Sequence, residues 1–319
     1  MKHSEIRYYT PKKKSTFILD PKSYHAALKD PFELKELESY NMVKAHIENF
    51  KKLVVMTSHG KDSLVLTHMV CMASRELKME DKIEYWLNNT LNLYPEEKDF
   101  WALFNKWLGI EKQFRIFIPP KLPNGKQATV WSVAEYYHEM PTFRHLAKSK
   151  KTKSGNIPHC CNWLKKKAVK THMTLFPIDS RVDCKFIGER GQESLNRRVT
   201  ILQRCRTYTV TTREAYPIRI VKPLAFWEEF DVWEYHKKYG FPKHPTYENH
   251  HLKRMGCASC PAYIGWEIEQ AKDPSRHAML KENLKRLLEY GQIERYNEAI
   301  SNLREHRLMP ELWGQTTLV

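Results

Sequence analysis

No stretch of the 319-residue sequence is apolar for long: runs such as Leu53-Val54-Val55-Met56 are the length of a strand, not of a bilayer-spanning helix. The opening residues, Met1-Lys2-His3-Ser4-Glu5, lack the apolar core of a secretory signal, which predicts a cytoplasmic protein with no membrane partner. In that reducing setting the seven cysteines are expected to be metal ligands, catalytic thiols or core residues, not disulfides. Acidic residues are also short. Against 53 Lys and Arg there are 37 Asp and Glu, giving a formal net charge of +16, so a polyanion such as nucleic acid is an expected partner.

The shortage is sharpest between Met140 and Ile178, where nine Lys and Arg occur without one Asp or Glu. Lys148, Lys150, Lys151 and Lys153 fall in a lysine, serine and glycine mixture of loop composition. Such a segment is either a solvated insertion or a basic loop able to close on a phosphate backbone. With Lys165, Lys166 and Lys167 these four are the candidate nucleic-acid contacts.

What is present is an alternation of strands and helices. Leu37, Tyr40, Val43, Ile47 and Phe50 recur at helical spacing and predict a helix over residues 32–50. Strands are expected at 53–57, 83–87, 114–118, 184–187 and 218–221, with helices at 61–75 and 95–108 between the first three. That order predicts an α/β fold: a mostly parallel twisted sheet with helices on both faces and a helical C-terminal extension, clearest at 273–290 and 293–306. The expected organisation is an N-terminal arm over 1–30, a nucleotide-binding domain over 31–235, and a helical region over 236–319 carrying a Cys-x-x-Cys pair.

The first strand runs directly into Ser58-His59-Gly60-Lys61-Asp62-Ser63 and then a helix. Gly60 would permit positive φ and close backbone approach. Amides at the helix start would face an anion favoured by the helix dipole. The Ser58 and Ser63 hydroxyls can donate to phosphate, Lys61 can offset charge, and Asp62 can orient a donor or hold Mg²⁺. The Walker A spacing is absent.

This Ser-x-Gly-x-Asp-Ser loop resembles the PP-loop of the ATP pyrophosphatase and phosphoadenylyl-sulfate reductase superfamily. A second block agrees. Gly188-Glu189-Arg190-Gly191-Gln192-Glu193-Ser194-Leu195-Asn196-Arg197-Arg198 follows the 184–187 strand and is similar to that superfamily's Gly-x-Arg-x-x-Glu-Ser-x-x-Arg block. A third stretch, Lys222 to Tyr235, resembles its segment leading into an Asp-Val-Trp helix and is expected to pack rather than react.

The resemblance implies a nucleotide site of Thr57, Ser58, His59, Gly60, Lys61, Asp62, Ser63, Gly188 and Arg198. Within it Lys61, Asp62, Arg190, Glu193 and Arg197 are the candidate catalytic residues, and ATP with Mg²⁺ the implied ligands. His59 stands where relatives often carry a small residue, and is expected to alter the loop's fit and add a titratable contact.

Cys160-Cys161 and Cys257-Ala258-Ser259-Cys260 form a four-thiol constellation suited to an iron–sulfur cluster, to zinc, or in part to a thiol–disulfide pair. By resemblance the adjacent pair with Cys-x-x-Cys is similar to the 4Fe–4S ligands of adenylyl-sulfate reductases. Cys71 and Cys184 are expected in the core, and Cys205, between Arg204 and Arg206, is a candidate persulfide carrier.

Sulfonucleotide reductases use a thiol in a C-terminal Cys-Gly-Leu-His-like motif, and no cysteine follows Cys260. The resemblance therefore leans toward DndC- and SspD-type DNA phosphorothioation proteins: ATP-driven adenylylation of a nucleic acid, followed by sulfur from a cysteine desulfurase or another donor protein. A sulfonucleotide reductase, a tRNA thiolation enzyme and a non-catalytic nucleic-acid module are the alternatives.

Overall fold

The computed structural model describes residues 17–137, 159–174, 182–211, 217–248, 256–258 and 265–309. Its centre is a sheet of β1 (Leu53–Thr57), β2 (Ile83–Asn88), β3 (Phe114–Phe117), β4 (Cys184–Ile187), β5 (Thr207–Thr211) and β6 (Pro217–Val221), in the order β3-β2-β1-β4-β6-β5. β1 pairs in parallel with β2 and with β4, and β4 in parallel with β6, while β5 runs antiparallel to β6. Val54 and Val55 point to opposite faces of β1 and both are fully buried, so the sheet is covered on both sides, as an α/β fold requires.

The chain leaves β1 toward β2 on one side and later returns to place β4 on the other. That reversal makes the C-terminal ends of β1 and β4 a topological switch point, where open parallel sheets bind ligands. Met56 lies opposite Ile187, so the loops beginning at Ser58 and Gly188 leave the sheet side by side.

The helices are α1 (Pro21–Leu28), α2 (Phe32–Asn49), α3 (Lys61–Glu76), α4 (Glu97–Leu108), α5 (Val130–Tyr137), α6 (159–174, with a π-helical stretch at Asn162–Lys167) and α7 (Leu195–Arg204). After them come α8 (Glu229–Lys238), α9 (Trp266–Ala271), α10 (His277–Glu289) and α11 (Ile293–Glu305). The predicted alternation is present, with three differences. Part of the expected arm is α1, started by Asp20 accepting the Ser23 amide at 3.0 Å and by a proline in its first turn. β5 was not expected at all. On α2, Leu37 is exposed, and the buried side carries polar groups instead: Lys35 meets Asp231 at 2.8 Å, and Ser39 donates to the Pro223 carbonyl at 2.9 Å. The apolar period does not show this, because the buried face of α2 carries Lys35, Glu36 and Ser39 beside Val43 and Ile47.

The chain groups into two compact units. One comprises Met1–Leu87, Lys98–Ile116 and Met173–Lys243, and its core joins Leu53, Leu64, Met69, Phe104, Phe186 and Trp227. The other comprises Asn88–Glu97, Phe117–His172 and His244–Val319, around Trp131, Trp163, Leu164, Leu280, Leu284 and Leu303. Residues 88–97 and 117–172, assigned by sequence to the nucleotide-binding domain, thus group with the C-terminal residues.

Candidate functional site

Gly60 is the N-cap of α3, with φ −71° and ψ 156° and no side-chain capping bond. The left-handed residue of the loop is His59, at φ 53°, so the positive φ expected at Gly60 falls one position earlier. That conformation turns the His59 ring inward. It is fully buried, 3.2 Å from Asn105 Oδ1 through Nε2, with the Phe104 and Phe114 ring centroids at 5.7 and 5.4 Å. The expected titratable phosphate contact at His59 is therefore corrected: its ring is buried and anchors the loop.

The rest of the loop is held by hydroxyls. Thr57 Oγ1 accepts the His59 amide at 3.3 Å. Ser63 Oγ accepts the Ser58 amide at 3.1 Å, donates to the Gly60 carbonyl at 2.9 Å and lies 3.2 Å from Ser58 Oγ. Two serine hydroxyls thus meet in front of an uncapped helix start, an arrangement suited to an anion.

Lys61 does not reach toward that anion position with its ammonium. The amine is buried, 2.9 Å from Glu229 Oε1 on α8, and 6.0 Å from the Trp233 ring centroid. Its hydrogen bond holds the Glu229 carboxyl below the usual carboxylate range. The Lys61 carbonyl is 2.9 Å from His236 Nε2, and burial lowers the pKa of that imidazole. Glu229 and His236 were missed in sequence, because nothing in a local motif signals a partner on a helix so far along the chain.

The second block meets the first. Gly188 lies so close to α3 that a Cβ there would sit 3.3 Å from the Asp62 carbonyl oxygen and from Ser63 Cα, which explains glycine at the end of β4. Arg190 is buried and donates from Nε to Asp62 Oδ1. Its amide is capped by Glu193 Oε2 at 3.2 Å, and Glu193 also pairs with Arg197. Glu193 thus contacts both the Arg190 amide and the Arg197 side chain. The Ser194 hydroxyl caps α7 by accepting the Arg197 amide at 3.3 Å, and Arg198 extends to Gln192 Oε1 at 3.4 Å. Asp62, Ser63, Gly188 and Arg190 are therefore one assembly at the switch point.

The residues matched by a family description run from 52 to 263, and the family is that of the phosphoadenosine phosphosulfate reductase domain. The chain belongs to it. No curated protein matches the chain. Among solved structures, it is similar to a phosphoadenylyl-sulfate reductase from Candida auris in a phosphate complex, at 14% identity over 76% of this chain and 98% of that one, with a TM-score of 0.46. It is also similar to the FMN adenylyltransferase of Candida glabrata in complex with FMN and the ATP analog AMPCPP, at 10% identity over 73% of this chain and 69% of that one, with a TM-score of 0.44. Both blocks, Ser58–Ser63 and Gly188–Arg198, lie within the span matched by this reductase-domain family.

Three of the four candidate metal ligands are described; Cys260 lies outside the described residues, as do Lys148, Lys150, Lys151 and Lys153. Cys160 is buried, and Cys161 and Cys257 pack half-buried against the same apolar cluster. The Cys257 thiol donates to Thr90 Oγ1 at 3.6 Å. Among the described residues no three His, Cys, Asp or Glu side chains gather to hold a metal ion, so Cys160, Cys161 and Cys257 do not form a ligand group there.

Lys165 and Lys166 are exposed on α6, whereas Lys167 folds back over Trp163, with its amine 3.2 Å from the ring centroid. Lys167 is thus engaged with a ring of its own helix. Cys71 and Cys184 are buried, and burial pushes both thiols up, so they are inert core residues as expected. No described helix is long and apolar enough to cross a membrane.

Proposed function

We propose that this member of the reductase-domain family is an ATP pyrophosphatase that adenylylates a nucleic-acid acceptor for sulfur insertion, with the DNA backbone as the favoured acceptor. The carrying observation is the Ser58 and Ser63 hydroxyl pair at the uncapped start of α3, with Arg190 drawn onto Asp62 beside it. Dipole, amides and hydroxyls converge there on one anion position, which a nucleotide phosphate would take.

An acceptor oxygen attacks the α-phosphorus of ATP, the bond to the bridging oxygen breaks, and pyrophosphate leaves with the electron pair. A sulfur nucleophile delivered by a cysteine desulfurase or similar donor then displaces AMP. Ser58, Ser63 and the first amides of α3 bind phosphate oxygens, and Arg190 and Arg197 stabilise the charge of the transition state. Lys61 fixes the loop to α8 through Glu229. Asp62 is the carboxylate that would hold Mg²⁺, which supplies charge neutralisation when bound. Cys160, Cys161 and Cys257, with Cys260, would hold a 4Fe–4S cluster; such a group supplies electron transfer or sulfur carriage. The net charge of +16 and the exposed Lys165 and Lys166 support nucleic acid as acceptor.

The test is anaerobically purified protein with ATP, with and without DNA or tRNA, reading AMP and pyrophosphate together with transfer of labelled sulfur. DNA-stimulated pyrophosphate release, abolished in Ser63→Ala, is expected; release unchanged in Asp62→Ala and Ser63→Ala would sink the reading. Iron and acid-labile sulfide content reports separately on the four cysteines. Membership of the reductase-domain family favours one second reading, a sulfonucleotide reductase, which would release sulfite from adenylyl sulfate with a thiol donor. Labelled sulfur in tRNA instead of DNA would mark a base-thiolating enzyme.

A further inference from the structure

We propose that Lys222 is a positioning residue for the nucleotide site, acting through Glu189 to set the turn that carries Arg190; the inference rests on the nucleotide reading above. Lys222 follows the last residue of β6 and is 2% exposed, an unusual place for an ammonium group. Its amine is 2.6 Å from Glu189 Oε2 and 5.5 Å from the Tyr208 ring centroid. Glu189 is the residue before Arg190. Phe186 lies opposite Val221 in the parallel β4–β6 pair, so the two strands end level and the turn after β4 rises beside Lys222.

Glu189 and Arg190 are therefore held from opposite sides. Glu189 is tied to the end of β6, and Arg190 to Asp62 in the first turn of α3. A backbone bond adds a third tie, with the Gly191 amide donating to the Ala225 carbonyl at 3.0 Å, in the turn that Lys222 begins. The β6 end thus sets where the guanidinium of Arg190 stands relative to the phosphate loop. A buried ion pair contributes little net stability compared with an apolar pair of the same shape, so stability alone does not account for a lysine here. What the pair provides is direction, because it ties the one-third-exposed Glu189 to a lysine held in the core.

The variants are Lys222→Met, which fills the same volume, and Lys222→Arg, which can still meet Glu189. The readouts are thermal midpoints with and without ATP, and the steady-state rate of pyrophosphate release. Lys222→Met is expected to keep the nucleotide-free midpoint and to lose on the order of tenfold or more in kcat, as misplacement of a charged group near the reacting centre does. Lys222→Arg is expected to recover most of that loss. In an Arg190→Ala background, Lys222→Met should cost nothing further, since its effect runs through Arg190.

A Lys222→Met protein with unchanged kcat, or one whose loss simply adds to that of Arg190→Ala, overturns the positioning role. Where Lys222→Met does not fold, Glu189→Gln removes the same pairing from its exposed side, and a wild-type kcat in that variant overturns the positioning role. A wild type that shows no ATP-induced shift in midpoint sinks the nucleotide reading itself, which is a separate outcome.

Discussion

Arg190 donates from Nε to Asp62 Oδ1 and thereby joins residues 128 positions apart in sequence into one corner of the switch point. The two partners are unequally buried: the side chain of Arg190 is 4% exposed and that of Asp62 15%. Asp62 also sits in the first turn of α3, where the helix dipole favours a negative charge with or without a partner.

The pair should therefore break asymmetrically. Asp62→Ala strands a buried guanidinium and is expected to lose about 3–5 kcal/mol in equilibrium urea unfolding. Arg190→Gln leaves a carboxylate that the helix start and solvent still accommodate, and is expected to lose about 1–3 kcal/mol. Reversal of that order would contradict the burial seen here.

Much of this corner was legible in sequence, and the reason is local. A strand, a Ser-x-Gly-x-Asp-Ser loop and a helix are contiguous, so the phosphate loop and Gly188–Arg198 could be read as blocks. What could not be read was long-range pairing. Lys61 looks like a phosphate ligand until Glu229 is placed beside it, and Lys222 looks like the start of a packing segment until Glu189 is found at 2.6 Å. Leu37 shares the helical spacing that predicted α2 yet is exposed, since the face α2 buries is chosen in part by partners such as Asp231 and Pro223. α1 escaped because its single buried tyrosine and leucine make too short an apolar pattern to register.

His59 holds φ 53° with a side chain in the core, so its two contributions oppose one another. Replacing it with Ala or Gly removes the buried ring and is expected to cost about 3–5 kcal/mol. Between the two, glycine should be the better: a left-handed backbone penalises Cβ by about 1–2 kcal/mol. Urea titrations of the variants test this, and His59→Ala being as stable as His59→Gly would show that the loop relaxes out of the left-handed region.

Gly191 faces the fully buried Tyr24, and a Cβ added there would meet the phenol hydroxyl and come within 2.9 Å of Cζ. Gly191→Ala is expected to destabilise by about 1–3 kcal/mol through overpacking. The cost should be coupled to α1: in a Tyr24→Leu background, which withdraws the ring, the same substitution should cost measurably less. Strict additivity of the two changes would mean that the clash is relieved elsewhere.

Glu97 is buried at 1% exposure and accepts the Tyr94 amide at 3.2 Å. Burial pushes its carboxyl up to about 8, with Glu96 adding to the rise and the Tyr94 amide, Arg276 and Lys165 opposing it. Below the ordinary carboxyl range the group is protonated in folded and unfolded chains alike, and its burial carries no ionic penalty. As pH rises from there toward 8, the unfolded chain gives up the proton while the folded one retains it, so stability falls across this window and levels off above it. The difference in unfolding free energy between wild type and Glu97→Gln should therefore decline with pH, by at most about 1.4 kcal/mol per pH unit. Taking the difference cancels the titration of groups that the two proteins share. A flat difference between pH 5 and 8, by about the resolution of a two-state denaturation series, would mean that Glu97 is ionised in the folded protein, with Arg276 and Lys165 outweighing its burial.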